Sequence, residues 1–217
     1  LVTVEGVNFE DADGSATFAA TTVYNVTNGS ETFAFRTSFS DADYIGEIIT
    51  ADKIDVTGLL NTNTDNFITS LSSTNLVDNY GPETSFGSLN GATNVNPDED
   101  LTISFPEVVY KDAAQMAFAA DEDVTAGFKF YTNNAKALTP LAADFTALIN
   151  GQDVAIEINS PLPNASNIVL EVQAGFFFDA AGNAGEVQSV EFETGTIADV
   201  TFNVDMSVEF YTNAWDS

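Results

Sequence analysis

Apolar and polar residues alternate along this chain with a dominant period of two rather than 3.6, which predicts strands in place of helices. Ile54, Val56 and Leu60 alternate with Lys53, Asp55 and Thr57; Leu101, Ile103 and Phe105 alternate with Thr102 and Ser104; Val154, Ile156 and Ile158 alternate with Asp153, Ala155 and Glu157. Each run is a half-buried strand, because successive side chains in extended backbone point to opposite faces. The longest such pattern is Val200, Phe202, Val204, Met206 and Val208, interleaved with Thr201, Asn203, Asp205, Ser207 and Glu209. Clusters of Asn, Asp, Gly, Ser and Thr, such as Asn61 to Asn66 and Asn159 to Asn167, separate the runs as turns. Short strands at this spacing build sandwiches and barrels. One Ala-rich stretch, Asp112 to Asp121 with Met116 and Phe118, reads as a short helix or a loop.

The alternation stops between Val77 and Gly91, where Asp78, Asn79, Tyr80, Gly81 and Pro82 break any strand. The expected organisation is therefore an all-β chain of two domains: residues 1–79, a linker at 80–89, and residues 90–195. A further break at Thr194 to Asp199 leaves 196–217 as the start of another β module or a terminal strand. Phe130-Tyr131-Thr132-Asn133 is echoed by Phe210-Tyr211-Thr212-Asn213, four residues that do not amount to a repeat. The opening at Leu1, with neither Met nor a basic n-region, reads as a processed or excised piece.

Composition narrows the function classes. Five Lys and Arg against 33 Asp and Glu give a formal charge of −28 over 217 residues. Arg36, Lys53, Lys111, Lys129 and Lys136 cannot form the basic surface that phosphates require, so nucleic acid and anionic membranes are excluded as partners. No run approaches the ~18 apolar residues of a membrane span, so no membrane insertion is expected. With no His and no Cys, the chain cannot carry a Ser-His-Asp or Cys-His nucleophile, a thiolate or imidazole zinc site, or a disulfide. Carboxylate chemistry and oxygen-ligated cations remain. The 18 Phe imply a packed core.

Specific phrases add a resemblance. Asn90-Gly91-Ala92-Thr93-Asn94-Val95-Asn96-Pro97, Leu101 to Phe105 followed by Pro106-Glu107, Pro161-Leu162-Pro163, Ile168 to Val172 and Phe178-Asp179-Ala180-Ala181-Gly182-Asn183 follow in an order that resembles a bacterial Ig-like module of the S-layer (SbsA) type. The resemblance implies an Ig-like β-sandwich over 90–195, with the last phrase a tight turn before a closing strand at Val187 to Phe192. The stretch from Lys111 to Phe130 is longer and more acidic than that pattern, and the Phe176-Phe177-Phe178 run departs from it. Residues 1–79 resemble an OB-fold-like barrel of secreted multidomain bacterial proteins through Val23 to Val26, Thr32 to Arg36 and Asp52 to Leu60. There Gly58 would permit a bulge, and the basic groove for nucleic acid is missing. Val200 to Ser207 looks like the first strand of a carbohydrate-binding-like sandwich.

Candidate chemistry comes from the acidic pairs. Asp11 and Asp13, Asp41 and Asp43, and Asp98, Glu99 and Asp100 either are solvated acidic loops or offer oxygens to calcium, the one cofactor that the chemistry allows. Asp78 and Glu83 join Asp98 to Asp100 in flanking the domain boundary, where a cation would stiffen two modules into a rod. Asp179 and Asn183, around a turn, are further candidate oxygens. No EF-hand loop is present, and with so many acids a carboxylate pair carries no catalytic signal, so no catalytic residue is assigned and the chain is read as non-enzymatic. Phe177, forced to the face opposite Phe176 and Phe178 if that run is a strand, and Tyr44, Tyr80, Tyr131 and Trp215 are the aromatics read as candidate glycan platforms. The reading is a stalk or adhesive fragment, secreted or on the cell surface, whose partners are neighbouring domains, extracellular glycan or surface proteins. The alternatives are an accessory binding region of a secreted hydrolase and a self-assembling surface-layer or filament subunit that adds its Val200 strand to a neighbour.

Overall fold

The structure, a computed structural model, describes residues 1–62, 66–134 and 137–196. The run from Val200 and the candidate Trp215 lie outside the described residues. The chain is all-β: a small closed barrel is followed by a sandwich of two sheets.

The barrel is built from β1 (Val2–Phe9), β2 (Val23–Thr27), β3 (Thr32–Arg36), β4 (Ile54–Asn61) and β5 (Phe67–Thr69). Their order is β1-β2-β3-β5-β4, and β1 pairs back onto β4 to close the ring, with β3 and β5 parallel. A short strand, β6 (Leu76–Val77), extends the sheet beyond β4. Alternation places Val7, Phe9, Tyr24, Val26, Phe35, Ile54 and Val56 inside, where edge-to-face contacts link Phe9, Phe18, Tyr24 and Tyr44 at centroid separations of 5.2–6.3 Å. The bulge predicted at Gly58 lies opposite, in β1: the register with β4 shifts between Val4 and Val7, and Gly6 takes φ 63° with its N–H on Asp55. Gly58 instead allows close approach, since a Cβ there would stand 2.4 Å from the carbonyl oxygen of Thr69. Beyond it Leu60 is exposed, so the predicted inward alternation of β4 ends at Gly58.

The second unit contains β7 (Leu101–Ser104), β8 (Glu122–Asp123), β9 (Phe128–Asn134), β10 (Ala137–Leu141), β11 (Phe145–Asn150), β12 (Asp153–Ile158), β13 (Asn167–Val172) and β14 (Gln188–Glu193). One sheet runs β7-β12-β11-β8 and the other β10-β9-β13-β14. Ile103, Ile149, Val154 and Ile156 of the first pack in one core with Phe130, Ile168, Leu170 and Phe192 of the second. The helix considered for Asp112 to Asp121 is absent. Tyr110 bridges to Ala117, and the Asp112 carboxylate accepts the N–H groups of Ala114 and Met116, which closes a turn where a helix would need those donors.

Candidate functional site

Two modules with separate cores must be joined, and the geometry of the join decides whether they move together. On the barrel side, β6 is pinned to β4 by the pairs Asp55–Val77 and Val56–Leu76. Asp55 then organises the start of the connection: its carboxylate accepts from Gly6 N–H (3.0 Å), Asn79 Nδ2 (2.8 Å) and the Tyr80 hydroxyl (2.7 Å). Directly after β6, Asp78 accepts from Tyr80 N–H at 3.1 Å. The Asp78 carboxylate is thereby held at the boundary, partly buried.

On the sandwich side, the Asp179 to Asn183 turn meets it. Asn183 donates its backbone N–H to Asp179 Oδ1 (2.7 Å) and its side-chain Nδ2 to Asp179 Oδ2 (2.9 Å). The same Nδ2 reaches Asp78 Oδ1 (3.3 Å), the Asp78 carbonyl (3.2 Å) and the Tyr80 carbonyl (3.4 Å) across the boundary. One amide group thus lies between two carboxylates, one from each module, although it has two protons to give. Asp179 is 1% exposed.

The connection itself is stitched to the sandwich. Gly81 lies against the turn so closely that a Cβ would fall 2.1 Å from the Ala184 carbonyl oxygen. Gln188 donates Nε2 to the Pro82 carbonyl (2.8 Å) and accepts Thr84 N–H on Oε1 (2.6 Å). Ser85 and Ser104 exchange both backbone hydrogen bonds. Lys53 pairs with Glu83 and lies 5.7 Å from the centre of the Tyr80 ring.

Between the modules is a cavity of about 40 Å³ lined by Asn8, Ala51, Asp52 and Lys53 of the barrel, by Tyr80, Gly81 and Glu83, and by Pro106 and Glu107 of the sandwich. Glu107 is pushed up to about 8, first by burial and then by the negative charges of Asp52, Asp179, Asp78 and Glu83. Burial also lifts Asp78 to about 6, with Asp179 and Asp52 adding to the rise against the lowering effect of Tyr80 N–H. Tyr80 is held up near 12, chiefly by donating to Asp55.

Among the candidate cation ligands, Asp78 and Glu83 lie at this junction, but Asp98, Glu99 and Asp100 do not. Strand β7 carries the chain from Asp100, which accepts Ile158 N–H, to Ser104 at the junction, so the three acids occupy the other end of the sandwich, exposed. Asp13 instead closes a turn by accepting Ser15 and Ala16 N–H, which holds its carboxyl below the usual range, while Asp11 is exposed. Asp43 accepts from Ser73 N–H and the Ser72 and Ser73 hydroxyls, and Asp41 is exposed. Among the described residues, no three carboxylates converge closely enough to hold a metal ion.

The aromatic candidates are placed differently from the sequence expectation. Phe177 is 2% exposed and stacks among Phe105, Phe118, Phe128 and Phe176. Phe177 does lie opposite its two half-buried neighbours, but the face it takes is the core and not the surface. Tyr44 is 1% exposed, with its hydroxyl donated to the Ser70 carbonyl (2.9 Å), so it is a core residue with a satisfied polar tip. Tyr131 is half-buried and donates to Glu171 (3.2 Å), and Tyr80 belongs to the junction.

Sequence reasoning missed Glu107, Asp52 and Gln188. Pro106-Glu107 was visible only as the end of a strand phrase, and nothing local marks a carboxylate that burial across a boundary will perturb. No protein-family model matches the chain, and no match was found among curated proteins.

Proposed function

We propose that this chain is a non-catalytic pair of structural modules, a spacer or adhesive stalk segment of a secreted or cell-surface bacterial protein. The observation that carries the reading is the junction. A connection that could have been free is bonded on both sides, through Asp55 to the barrel and through Asn183, Gln188 and Ser104 to the sandwich. A spacer must transmit position, and a connection without free torsions does so. The charge of −28 supports a soluble, self-repelling exterior segment that resists association with its own copies. The burial of Phe177 and Tyr44 removes two of the aromatics on which a glycan-binding reading rested.

The test is analytical sizing across a wide concentration range together with retardation on polysaccharide gels. A spacer stays monomeric and elutes unretarded. Retardation by a polysaccharide would replace it with an accessory binding region, and concentration-dependent higher species would replace it with an assembling subunit.

A further inference from the structure

Four carboxylates from both modules gather around the boundary: Asp52 and Asp78 from the barrel side, and Glu107 and Asp179 from the sandwich. Asp78 accepts the Tyr80 N–H, Asp179 the Asn183 N–H and Asp52 the Thr50 hydroxyl. Lys53 is committed to Glu83, Tyr80 to Asp55, and the Asn183 amide is divided between Asp78 and Asp179. Asp52 and Glu107, one from each module, line the same cavity of about 40 Å³, which has room for about one water. We propose that the junction is a pH-gated latch, in which Glu107, with Asp78 beside the buried Asp179, keeps the two modules docked when protonated and drives them apart when ionised.

Both carboxyls are raised in the docked state, Glu107 from 4.5 to about 8 and Asp78 from 3.8 to about 6. The docked state therefore binds more protons than the separated one across that window. Docking is fully favoured below the ordinary carboxyl range and weakens as pH rises through about 6 and then about 8. The composition makes the window clean: without His or Cys, the chain has no side chain whose ordinary pKa falls between about 5 and 8. The spacer would be stiff in mildly acidic surroundings and would pivot in alkaline ones. This deepens the spacer reading and rests on the junction being its rigid joint.

The absence of Cys also permits the test, since Ser30→Cys with Thr102→Cys gives one exposed labelling site on each module for energy transfer. The ratio of docked to separated molecules is read from about pH 5 to about pH 9 at constant ionic strength in chelator. Each tenfold difference in proton affinity between the two states changes that ratio up to tenfold, so the ratio is expected to fall by about tenfold or more. Glu107→Gln reduces the response above about pH 7, and Glu107→Gln with Asp78→Asn abolishes it. Carboxyl carbon resonances of the wild-type chain give a second readout, with Glu107 titrating near 8. A ratio constant over the whole range, a double variant that keeps the full response, or a Glu107 midpoint in the ordinary carboxyl range overturns the latch. Modules separated even at about pH 5 overturn the rigid-joint reading itself, an outcome distinct from modules docked at every pH.

Discussion

Phe177 shows how one side chain settles between display and packing. Its ring lies 4.7 Å from Phe105 and 5.7 Å from Phe118, so truncation would remove contacts in the sandwich core. Phe177→Ala is expected to destabilise the chain by about 3–5 kcal/mol, read from the shift in a denaturant midpoint. A glycan platform would instead tolerate the change in stability and lose binding. The sequence pointed the other way because three consecutive Phe look like a strand that must expose one of them. The three Phe follow the turn at Ala174 and Gly175, Phe178 pairs with Tyr110 and Ala184, and it is Phe177 that faces the core while its two neighbours are half-buried. Tyr44 is similar: a Tyr beside Asp43 in an acidic stretch reads as surface, but its hydroxyl is satisfied by Ser70, a residue 26 positions away.

At the scale of elements, alternation made the strands legible. Ile54 and Val56, Leu101 and Ile103, and Val154 and Ile156 are all buried as their periodicity requires. The loss of pattern after Val77, with Gly81 and Pro82, falls in the stretch between β6 and β7. What the pattern could not reveal is that the connection is not a free linker. Its partners, Gln188 and Asn183, lie more than a hundred positions away and carry no local signal. Gly81 is where this becomes testable. Gly81→Ala places a methyl into the Ala184 carbonyl, and backbone cannot yield as a side-chain end can. The expected result is undocked modules by energy transfer, with the circular dichroism of the strands retained. Docking unchanged in Gly81→Ala would mean that the turn is not held against the connection.

For the whole molecule, the acidic composition acts in two different ways. Most carboxylates, such as Asp11, Asp41 and Asp98 to Asp100, are exposed and form a solvated coat. A few are brought together, half-buried, at the boundary, where the same charge acts on the joint instead. Counting acids gave the charge but not where it is placed. It did not locate the joint, because Asp98 to Asp100 are closer in sequence to the boundary than Glu107 is, yet they stand at the opposite end of β7. The candidate site was therefore legible only in part, through Asp78, Glu83 and the Asp179–Asn183 turn.

The central claim is that the barrel and the sandwich are held as one body. The most direct test is backbone nitrogen relaxation of the full chain at about pH 5, below the values to which Asp78 and Glu107 are raised. Residues of the barrel and of the sandwich should fit one rotational diffusion tensor with a single correlation time. Two distinct and shorter correlation times, one for each module, would contradict the account.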